Sequence, residues 1–214
     1  MSLCADEAMI FIASPCGYII NRNFIECRED AVAMLRNQGY QVVTKLFQSV
    51  SISMNRNAAF VEAWQRKAEW LVFIDTDMEF TGDDVLKLIG HGGNVITGVC
   101  KNVDGMYALY DYDNKNGAIS SIMELKPTVD ICGGAFFAIK NNILELMMNS
   151  LNREWKSVDV RDRALDYPFN LITHGHHAQA GEDVSFCLRL MELGIPIYVE
   201  RDAIIGHEKI VCIR

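Results

Sequence analysis

The stretch "WLVFIDTDMEF", Trp70 to Phe80, decides the predicted fold of this chain. It begins with an unbroken apolar run, Trp70 to Ile74, and such a run is typical of a parallel strand that is buried on both faces. Asp75 and Asp77 follow directly, where the strand would leave the core. Ligands of parallel α/β sheets bind beyond the carboxyl ends of the strands. The stretch therefore predicts two carboxylates at the ligand-binding edge of a sheet.

Strands and helices are predicted to alternate on both sides of this stretch. Short apolar runs predict strands, and apolar residues at helical spacing predict helices between them. Thr81 and Asp84 fit the pattern of a capping box that opens the next helix. The predicted strands are 9–14, 40–47, 70–74 and 94–100, and the predicted helices are 23–37, 53–67 and 83–90. This alternation predicts an α/β fold with a mostly parallel sheet flanked by helices.

The second half of the chain has a different pattern. Between Met106 and Ile139, short β-like runs follow one another without long helices, which predicts a small antiparallel extension of the sheet. The remaining predicted elements are a helix at 141–151, an irregular segment up to Ala180, a helix at 182–193 and a last strand at 197–199. The sequence shows no internal repeat or linker, so we expect a single domain over residues 1–214.

The composition argues against several classes of protein. The net charge is −8 and the pI is about 5.1, without the clustered Lys and Arg that nucleic-acid surfaces need. No apolar run approaches the ~20 residues that span a bilayer, which leaves only peripheral membrane contact open. Asp6 and Glu7 stand where a secretory signal would be basic, so we expect a cytoplasmic protein. The seven cysteines contain no CxxC pair, which predicts buried thiols rather than disulfides or a zinc site.

Two acidic motifs carry the candidate chemistry. Asp75 and Asp77 could hold Mg²⁺ or Mn²⁺, which binds carboxylate oxygens and completes its shell with water and substrate phosphates. A solvated turn explains such a pair equally well. Glu182 and Asp183 open the helix in "GEDVSFCLRLMELG", where the helix dipole favours negative charge. A carboxylate in that position is also a candidate base for a hydroxyl group.

Three stretches, taken in order, resemble the signatures of one enzyme family. They are "SMNRNAAFVEAWQRKAEWLVFIDTDMEF", "VDICGGAFFAIK" and "GEDVSFCLRLMELGIPIYVERDAIIGHEK". Together they resemble the GT-A-type nucleotide-sugar glycosyltransferases, especially the family-2-like group, over most of the chain from Ser53 to Lys209. The resemblance implies a GT-A, Rossmann-like fold in which residues 1–100 bind the nucleotide sugar and residues 101–214 bind the acceptor.

The resemblance also implies roles for the acidic residues and for one histidine. Asp77 would coordinate Mn²⁺ or Mg²⁺ directly, and His207, expected beyond the last strand, would be a further protein contact to the metal. Asp75, the other member of this metal site, would reach the donor ribose or a metal-bound water. Asp183 would be the general base, with Glu182 in support, and the reverse assignment stays open. On this resemblance the reaction would invert the anomeric centre.

Seven further residues are expected near the substrates. Ser14 and Pro15 would border the nucleoside, and Arg56, Asn57 and Lys101 would lie near the donor. Gly133 and Gly134 would let the backbone approach the sugar or the acceptor. A polar helix face explains Arg56 and Asn57 equally well, and a β-bulge explains the two glycines.

A histidine-rich stretch, "THGHHAQAGED", raises a separate question. His174, His176 and His177 could bind a soft metal. No HExxH pattern or cysteine partner accompanies them, so we expect a loop over the acceptor site instead.

These observations predict a metal-dependent transfer of a sugar from a UDP- or GDP-type donor to a hydroxyl of a glycan or another acceptor. Two other enzyme classes use a similar acidic pair. In haloacid-dehalogenase-like phosphohydrolases Asp75 would be the nucleophile and Asp77 the acid/base, although that motif normally opens the chain. Nucleotidyltransferases form the second class. A non-catalytic domain that binds nucleotide sugars or glycans is the remaining alternative.

Overall fold

The computed structural model describes residues 8–17, 20–101, 105–150, 167–171 and 181–207. These residues form a mixed α/β fold with one large sheet, helices on both of its faces and a small second sheet. The predicted fold class is confirmed. None of the described helices has the length and apolar character that crossing a lipid bilayer requires.

The elements follow the predicted order, with most boundaries within a few residues of those expected. The strands are β1 Met9–Cys16, β2 Gln41–Gln48, β3 Trp70–Ile74, β4 Met78–Glu79, β5 Val95–Cys100, β6 Leu109–Asp113, β7 Ala118–Ser121, β8 Thr128–Val129, β9 Ile131–Cys132, β10 Phe136–Lys140 and β11 Ile197–His207. The helices are α1 Arg22–Asn37, α2 Ile52–Gln65, α3 Gly82–Gly90, α4 Asn141–Asn149 and α5 Glu182–Glu192.

The large sheet has the order β2-β1-β3-β10-β5-β11-β4, and β8 also pairs with β11. β1 runs parallel to β2 and β3, and β5 runs parallel to β11. Every residue of β3 is buried because its two faces pack against different layers. Leu71 and Phe73 belong to the core on the side of α2, α4 and α5, whereas Val72 and Ile74 belong to the core on the side of α1 and α3. The apolar run therefore forms the predicted two-sided buried strand.

The strand β10 is the main departure from simple strand–helix alternation. It lies in the middle of the large sheet, antiparallel to both β3 and β5. Its apolar sequence, Phe136 to Ile139, is buried on both sides, as a central position requires. The strands β7, β6 and β9 instead form a separate antiparallel sheet. The predicted antiparallel region thus divides between two sheets.

The last strand is longer than predicted. β11 changes register against β5 between Val199 and Ile204, and the intervening residues are mainly polar. This irregularity interrupts the apolar pattern, which is why the sequence predicts a strand that ends at residue 199. The sequence predicted that His207 lies beyond the last strand. The structure instead places it as the final residue of β11.

The predicted capping box is present at the start of α3. The Asp84 N–H donates to the Thr81 hydroxyl at 3.3 Å, and the Thr81 N–H donates to the Asp84 carboxylate at 2.9 Å. Reciprocal bonds of this kind fix the first turn of a helix. The acidic turn after β3 is therefore held between a buried strand and a capped helix.

Candidate functional site

The turn after β3 carries the first acidic motif. The Asp75 N–H donates to the Ala135 carbonyl at 2.9 Å, and the Met78 N–H donates back to the Asp75 carbonyl at 3.2 Å. β4 then pairs antiparallel with the end of β11. This pairing brings His207 to the turn, where its Nε2 lies 2.7 Å from Asp77 Oδ2. The two residues predicted as metal ligands are in contact although 130 positions separate them in sequence.

Asp77 and His207 are hydrogen-bonded to each other in the structure, and both side chains are of types that can bind a divalent ion. Carboxylate oxygen and imidazole nitrogen are both ligands of divalent transition ions. Two ligands in adjacent octahedral positions, each about 2.1 Å from an ion, lie roughly 3 Å apart. The observed separation of Oδ2 and Nε2 is 2.7 Å, with side-chain exposures of 45% for Asp77 and 22% for His207. Among the described residues no group of three or more His, Cys, Asp and Glu side chains could hold a metal. Other ligands would have to come from substrate and water.

Arg56, from α2, lies between the two acidic motifs. Its side chain is only 2% exposed. Its Nη2 donates to Asp75 Oδ1 at 3.1 Å and to Oδ2 at 3.3 Å, and its Nη1 donates to the Gly134 carbonyl at 2.5 Å. Its Nε lies 3.3 Å from Glu182 Oε1. One guanidinium therefore joins the turn after β3 to the start of α5.

Negative charge accumulates around this arginine. We use the name carboxylate edge for Asp75, Asp77, Glu182, Asp183 and His207. Burial raises the pKa of the Asp75 carboxyl to about 6, the Arg56 guanidinium opposes this rise, and the neighbouring carboxylates add to it. Like charges held together in this way favour binding of a cation.

The start of α5 supplies the second acidic motif. Glu182 is turned towards Arg56, whereas the Asp183 Oδ1 accepts the N–H of Val184 at 2.7 Å. Asp183 also acts on Tyr110 of β6. Burial raises the pKa of the Tyr110 phenol, and the negative charge of Asp183 raises that pKa further. The two neighbouring carboxylates therefore have different surroundings.

Tyr110 is a site neighbour that the sequence reasoning missed. A Cβ added to Gly133 would lie 3.3 Å from Ala108 Cβ, so the Ala108 side chain is directed towards Gly133. Ala108 directly precedes β6, Tyr110 is the second residue of that strand, and the Gly133 N–H donates to the Ala108 carbonyl, so Gly133 lies beside the start of β6. The pattern "YALY", residues 107–110, which runs into the start of β6, was a signal that could have identified it.

Asn57 follows Arg56 but points to a different region. Its side-chain N–H donates to Asn170 Oδ1 at 2.8 Å, and its Oδ1 accepts the Phe169 N–H at 2.8 Å. The Phe169 ring stacks on Phe186 of α5 at a centroid distance of 4.4 Å. Arg189 Nη1 donates to the Asn170 carbonyl at 2.6 Å. We use the name aromatic anchor for Asn57, Phe169, Asn170, Phe186 and Arg189. The observed contacts of Asn57 are structural, and its contact with a donor stays a prediction.

The other predicted substrate residues lie at element ends. Ser14 and Pro15 are buried near the carboxyl end of β1, beside β2. Lys101 follows β5 and is exposed, with its Nζ 5.4 Å from the Tyr107 ring centre. Gly133 donates its N–H to the Ala108 carbonyl at 2.8 Å. Contacts of these four residues with a substrate stay predictions.

The histidine-rich stretch cannot be compared with the structure. His174, His176 and His177 lie outside the described residues. Their expected position in a loop over the acceptor site therefore stays a prediction.

Comparison with known proteins gives matches in structure and none in sequence. No protein-family model and no curated protein matches this chain. A197 from STIV aligns over 97% of each chain with a TM-score of 0.55 and 17% identity. A mutant β-1,4-galactosyltransferase 7 from Drosophila, in complex with manganese, UDP-Gal and xylobiose, aligns over 91% of this chain and 66% of that chain, with a TM-score of 0.49 and 11% identity. The inositol-1-phosphate CTP transferase from T. maritima aligns over 94% and 89%, with a TM-score of 0.48 and 10% identity.

The likeness to A197 shows the fold. At 17% identity it does not extend to the chemistry of the site. The other two structures have TM-scores below 0.5, and we draw no argument from them. A conclusion about function therefore has to come from the residues of the carboxylate edge and their geometry.

Proposed function

We propose that this protein is a metal-dependent glycosyltransferase that moves a sugar from a nucleoside-diphosphate sugar to a hydroxyl group of a glycan or a similar acceptor. The proposal rests on one observation: Arg56 contacts both Asp75 and Glu182, so the two acidic motifs form one site. A diphosphate leaving group requires a cation, and an acceptor hydroxyl requires a base. The carboxylate edge has residues suited to both tasks.

The donor side of the site would be built by the first half of the chain, residues 1–100, together with His207. Asp77 and His207 would hold Mn²⁺ or Mg²⁺, which supplies positive charge to the departing diphosphate. Asp75, oriented by Arg56, would accept a hydrogen bond from the donor ribose or from a metal-bound water. Ser14, Pro15 and Lys101 would contribute contacts to the nucleotide.

The acceptor side would be built by residues 101–214, with Asp183 as the base. Glu182 is held in an ion pair, with its Oε1 3.3 Å from Arg56 Nε, which leaves Asp183 as the carboxylate we assign to the acceptor. Asp183 Oδ1 accepts a hydrogen bond from the backbone N–H of Val184 at 2.7 Å. In the proposed step, the acceptor oxygen bonds to the anomeric carbon, its proton passes to Asp183, and the bond to the diphosphate breaks. Inversion follows if Asp183 and the diphosphate lie on opposite sides of the sugar.

A turnover screen tests this proposal. The protein is incubated with Mn²⁺ and a panel of UDP- and GDP-linked sugars, with water and simple sugars as acceptors, and the release of nucleoside diphosphate is measured. We expect release from at least one donor, loss of that release in EDTA, and recovery when Mn²⁺ is added in excess. Undiminished release in EDTA would remove Asp77 and His207 from the proposed role.

The products separate this proposal from its rivals. A nucleotidyltransferase would release pyrophosphate from a nucleoside triphosphate and a sugar phosphate. A phosphohydrolase would release inorganic phosphate from p-nitrophenyl phosphate, and a binding domain would release nothing. Asp83→Asn is a suitable control because this carboxylate is 61% exposed and pairs with Lys87 on α3. We expect this control variant to retain the activity of the wild type.

A further inference from the structure

Arg56 makes contacts that the resemblance to glycosyltransferases does not explain. We infer that Arg56 is a positioning residue that holds Asp75 and the Glu182 end of α5 in one fixed arrangement, and that Gly134 provides the space it needs. The inference rests on the proposed function. It assigns Arg56 a role through other residues and not a direct contact with the donor.

The guanidinium contacts three separate elements through three different nitrogen atoms. Nη2 reaches the Asp75 carboxylate after β3, Nη1 reaches the Gly134 carbonyl before β10, and Nε approaches Glu182 on α5. The Nη1 and Nη2 contacts are hydrogen bonds, and the planar guanidinium fixes their directions, whereas Nε and Glu182 form an ion pair without a hydrogen bond. The ammonium group of a lysine would supply the positive charge but not N–H groups fixed in these directions.

Burial makes this arrangement specific. The Arg56 side chain is 2% exposed and packs over the Phe73 ring, with Cζ 5.5 Å from the ring centre. A buried charge is tolerated only with good partners, and removing one partner leaves the others uncompensated. Asp75 and Glu182 therefore depend on the same cation. A shift of one carboxylate changes the contacts of the other through Arg56.

Gly134 is the residue that allows Arg56 to take this position. A Cβ built on Gly134 would lie 2.5 Å from Arg56 Cζ, 2.5 Å from Nη2 and 2.7 Å from Nη1. Distances this short require the guanidinium to move, and its three contacts oppose that movement. The position of Arg56 therefore explains why residue 134 is a glycine. A sugar that approaches the backbone at this point is not needed as an explanation.

Kinetics of Arg56 variants test the inference with the donor that turns over in the screen above. Misplaced reacting groups cost about 100-fold in rate, so we expect Arg56→Ala and Arg56→Lys to lower kcat by about this factor. The donor KM should rise by a smaller factor than kcat falls, because only one of the two positioned motifs, Asp75, is expected to contact the donor, whereas the other carries the base. Added guanidinium should restore activity to Arg56→Ala, whereas methylammonium should not. A raised donor KM with unchanged kcat would show a donor contact and overturn the inference.

Two matched controls accompany these variants. Arg66→Ala removes another arginine of the same region, one that is 44% exposed and paired with Glu62. Gly90→Ala adds a methyl group to a glycine of α3 with nothing within 4 Å of the new atom. We expect Gly134→Ala to reproduce the kcat loss of Arg56→Lys, and both controls to behave as the wild type. Normal kcat in Gly134→Ala would contradict the role of this glycine.

Hydrogen exchange tests the same inference without any substrate. Peptides that cover 75–80 and 182–190 should lose protection together in Arg56→Lys and Gly134→Ala, and keep it in both control variants. Independent changes in the two peptides would overturn the inference even if the enzyme turns over a donor. Coupled changes in an inactive protein would instead keep the inference and reject the proposed function.

Discussion

The carboxylate edge and the aromatic anchor use the same two helices in opposite ways. Arg56 and Asn57 are adjacent on α2, yet Arg56 contacts the edge and Asn57 contacts the anchor. On α5, Glu182 belongs to the edge, while Phe186 and Arg189 belong to the anchor. Each helix therefore contributes to a region rich in carboxylates and to a buried region that packs the fold.

The two regions differ in how much negative charge they hold. In the anchor, the side-chain amide of Asn57 pairs with a backbone N–H and with another amide, beside stacked rings. At the edge, four carboxylates converge and the pKa of Asp75 rises to about 6. Uncompensated charge lowers stability and suits a site that binds a cation. Substitutions at the edge should therefore affect activity, and substitutions in the anchor should affect stability.

The largest expected effect comes from the base of the carboxylate edge. Asp183→Asn keeps the size of the side chain but cannot accept a proton. General-base catalysis typically contributes 10²–10⁴-fold, so we expect kcat to fall by about 100- to 10,000-fold while nucleotide binding and melting temperature stay near those of the wild type. Steady-state kinetics and thermal melts measure this. A normal kcat in Asp183→Asn, with a large loss in Glu182→Gln, would reverse the assignment of the base.

Removal of the central ring of the anchor should give the largest loss of stability. Phe169 is fully buried and contacts Phe60, Phe73, Phe137 and Phe186. We expect Phe169→Ala to lower the free energy of unfolding by about 3–5 kcal/mol, measured by urea denaturation. Val50→Ala, at a side chain that is 92% exposed, should change it by less than about 0.5 kcal/mol. If Phe169→Ala and Val50→Ala had equal free energies of unfolding, the claim that the aromatic anchor stabilises the fold would be wrong.

Substitution of Asp75 should show how much its negative charge lowers the free energy of unfolding. The pKa of Asp75 is about 6 in the folded protein, against about 3.9 for an unfolded aspartate. The folded state holds this proton more tightly, so the wild type loses stability as pH rises from 4 to 7, by about 2 kcal/mol. Asparagine does not titrate. We therefore expect Asp75→Asn to gain stability relative to the wild type as pH rises from 4 to 7, measured as the free energy of unfolding in EDTA. If the two free energies of unfolding changed with pH in parallel, the raised pKa would not belong to Asp75.

The smallest effect is expected at Asn57. Asn57→Ala removes the hydrogen bonds that Asn57 makes with the Phe169 N–H and with Asn170 Oδ1, which should lower the free energy of unfolding by about 2 kcal/mol in urea denaturation. Asn116→Ala is the matched control, because that side chain accepts one bond in an exposed turn. Lower nucleotide affinity with unchanged stability in Asn57→Ala would place this residue at the donor instead of in the anchor.

Local sequence patterns predicted the alternating elements because each depends on neighbouring residues. The run Trp70–Ile74 and the Thr81–Asp84 capping box are examples. The central position of β10 was not predictable, since strand pairing depends on partners far away in sequence. A short apolar run such as Phe136–Ile139 does not indicate which strands lie beside it.

The acidic residues of the candidate site were predictable from local motifs, and Arg56 was expected near the donor, but the contacts of Arg56 with Asp75 and Glu182 were not predictable. Carboxylates at a strand end and at a helix start are visible as local motifs. Arg56 and Asn57 looked alike because both are polar residues on one helix, although adjacent helical residues point about 100° apart. Their partners, Glu182 and Asn170, come from distant parts of the chain.

A thermal-shift measurement tests the central claim that the carboxylate edge binds a nucleoside diphosphate through a divalent ion. Wild type, Asp77→Asn and the control Asp83→Asn are melted with UDP or GDP, with and without Mn²⁺. At about 100 times the dissociation constant, a ligand should raise the melting temperature of a protein of this size by roughly 5–10 °C. We predict this rise for one nucleotide in wild type and Asp83→Asn, only with Mn²⁺, and its loss in Asp77→Asn. No rise with either nucleotide, or an equal rise without Mn²⁺, would contradict the claim.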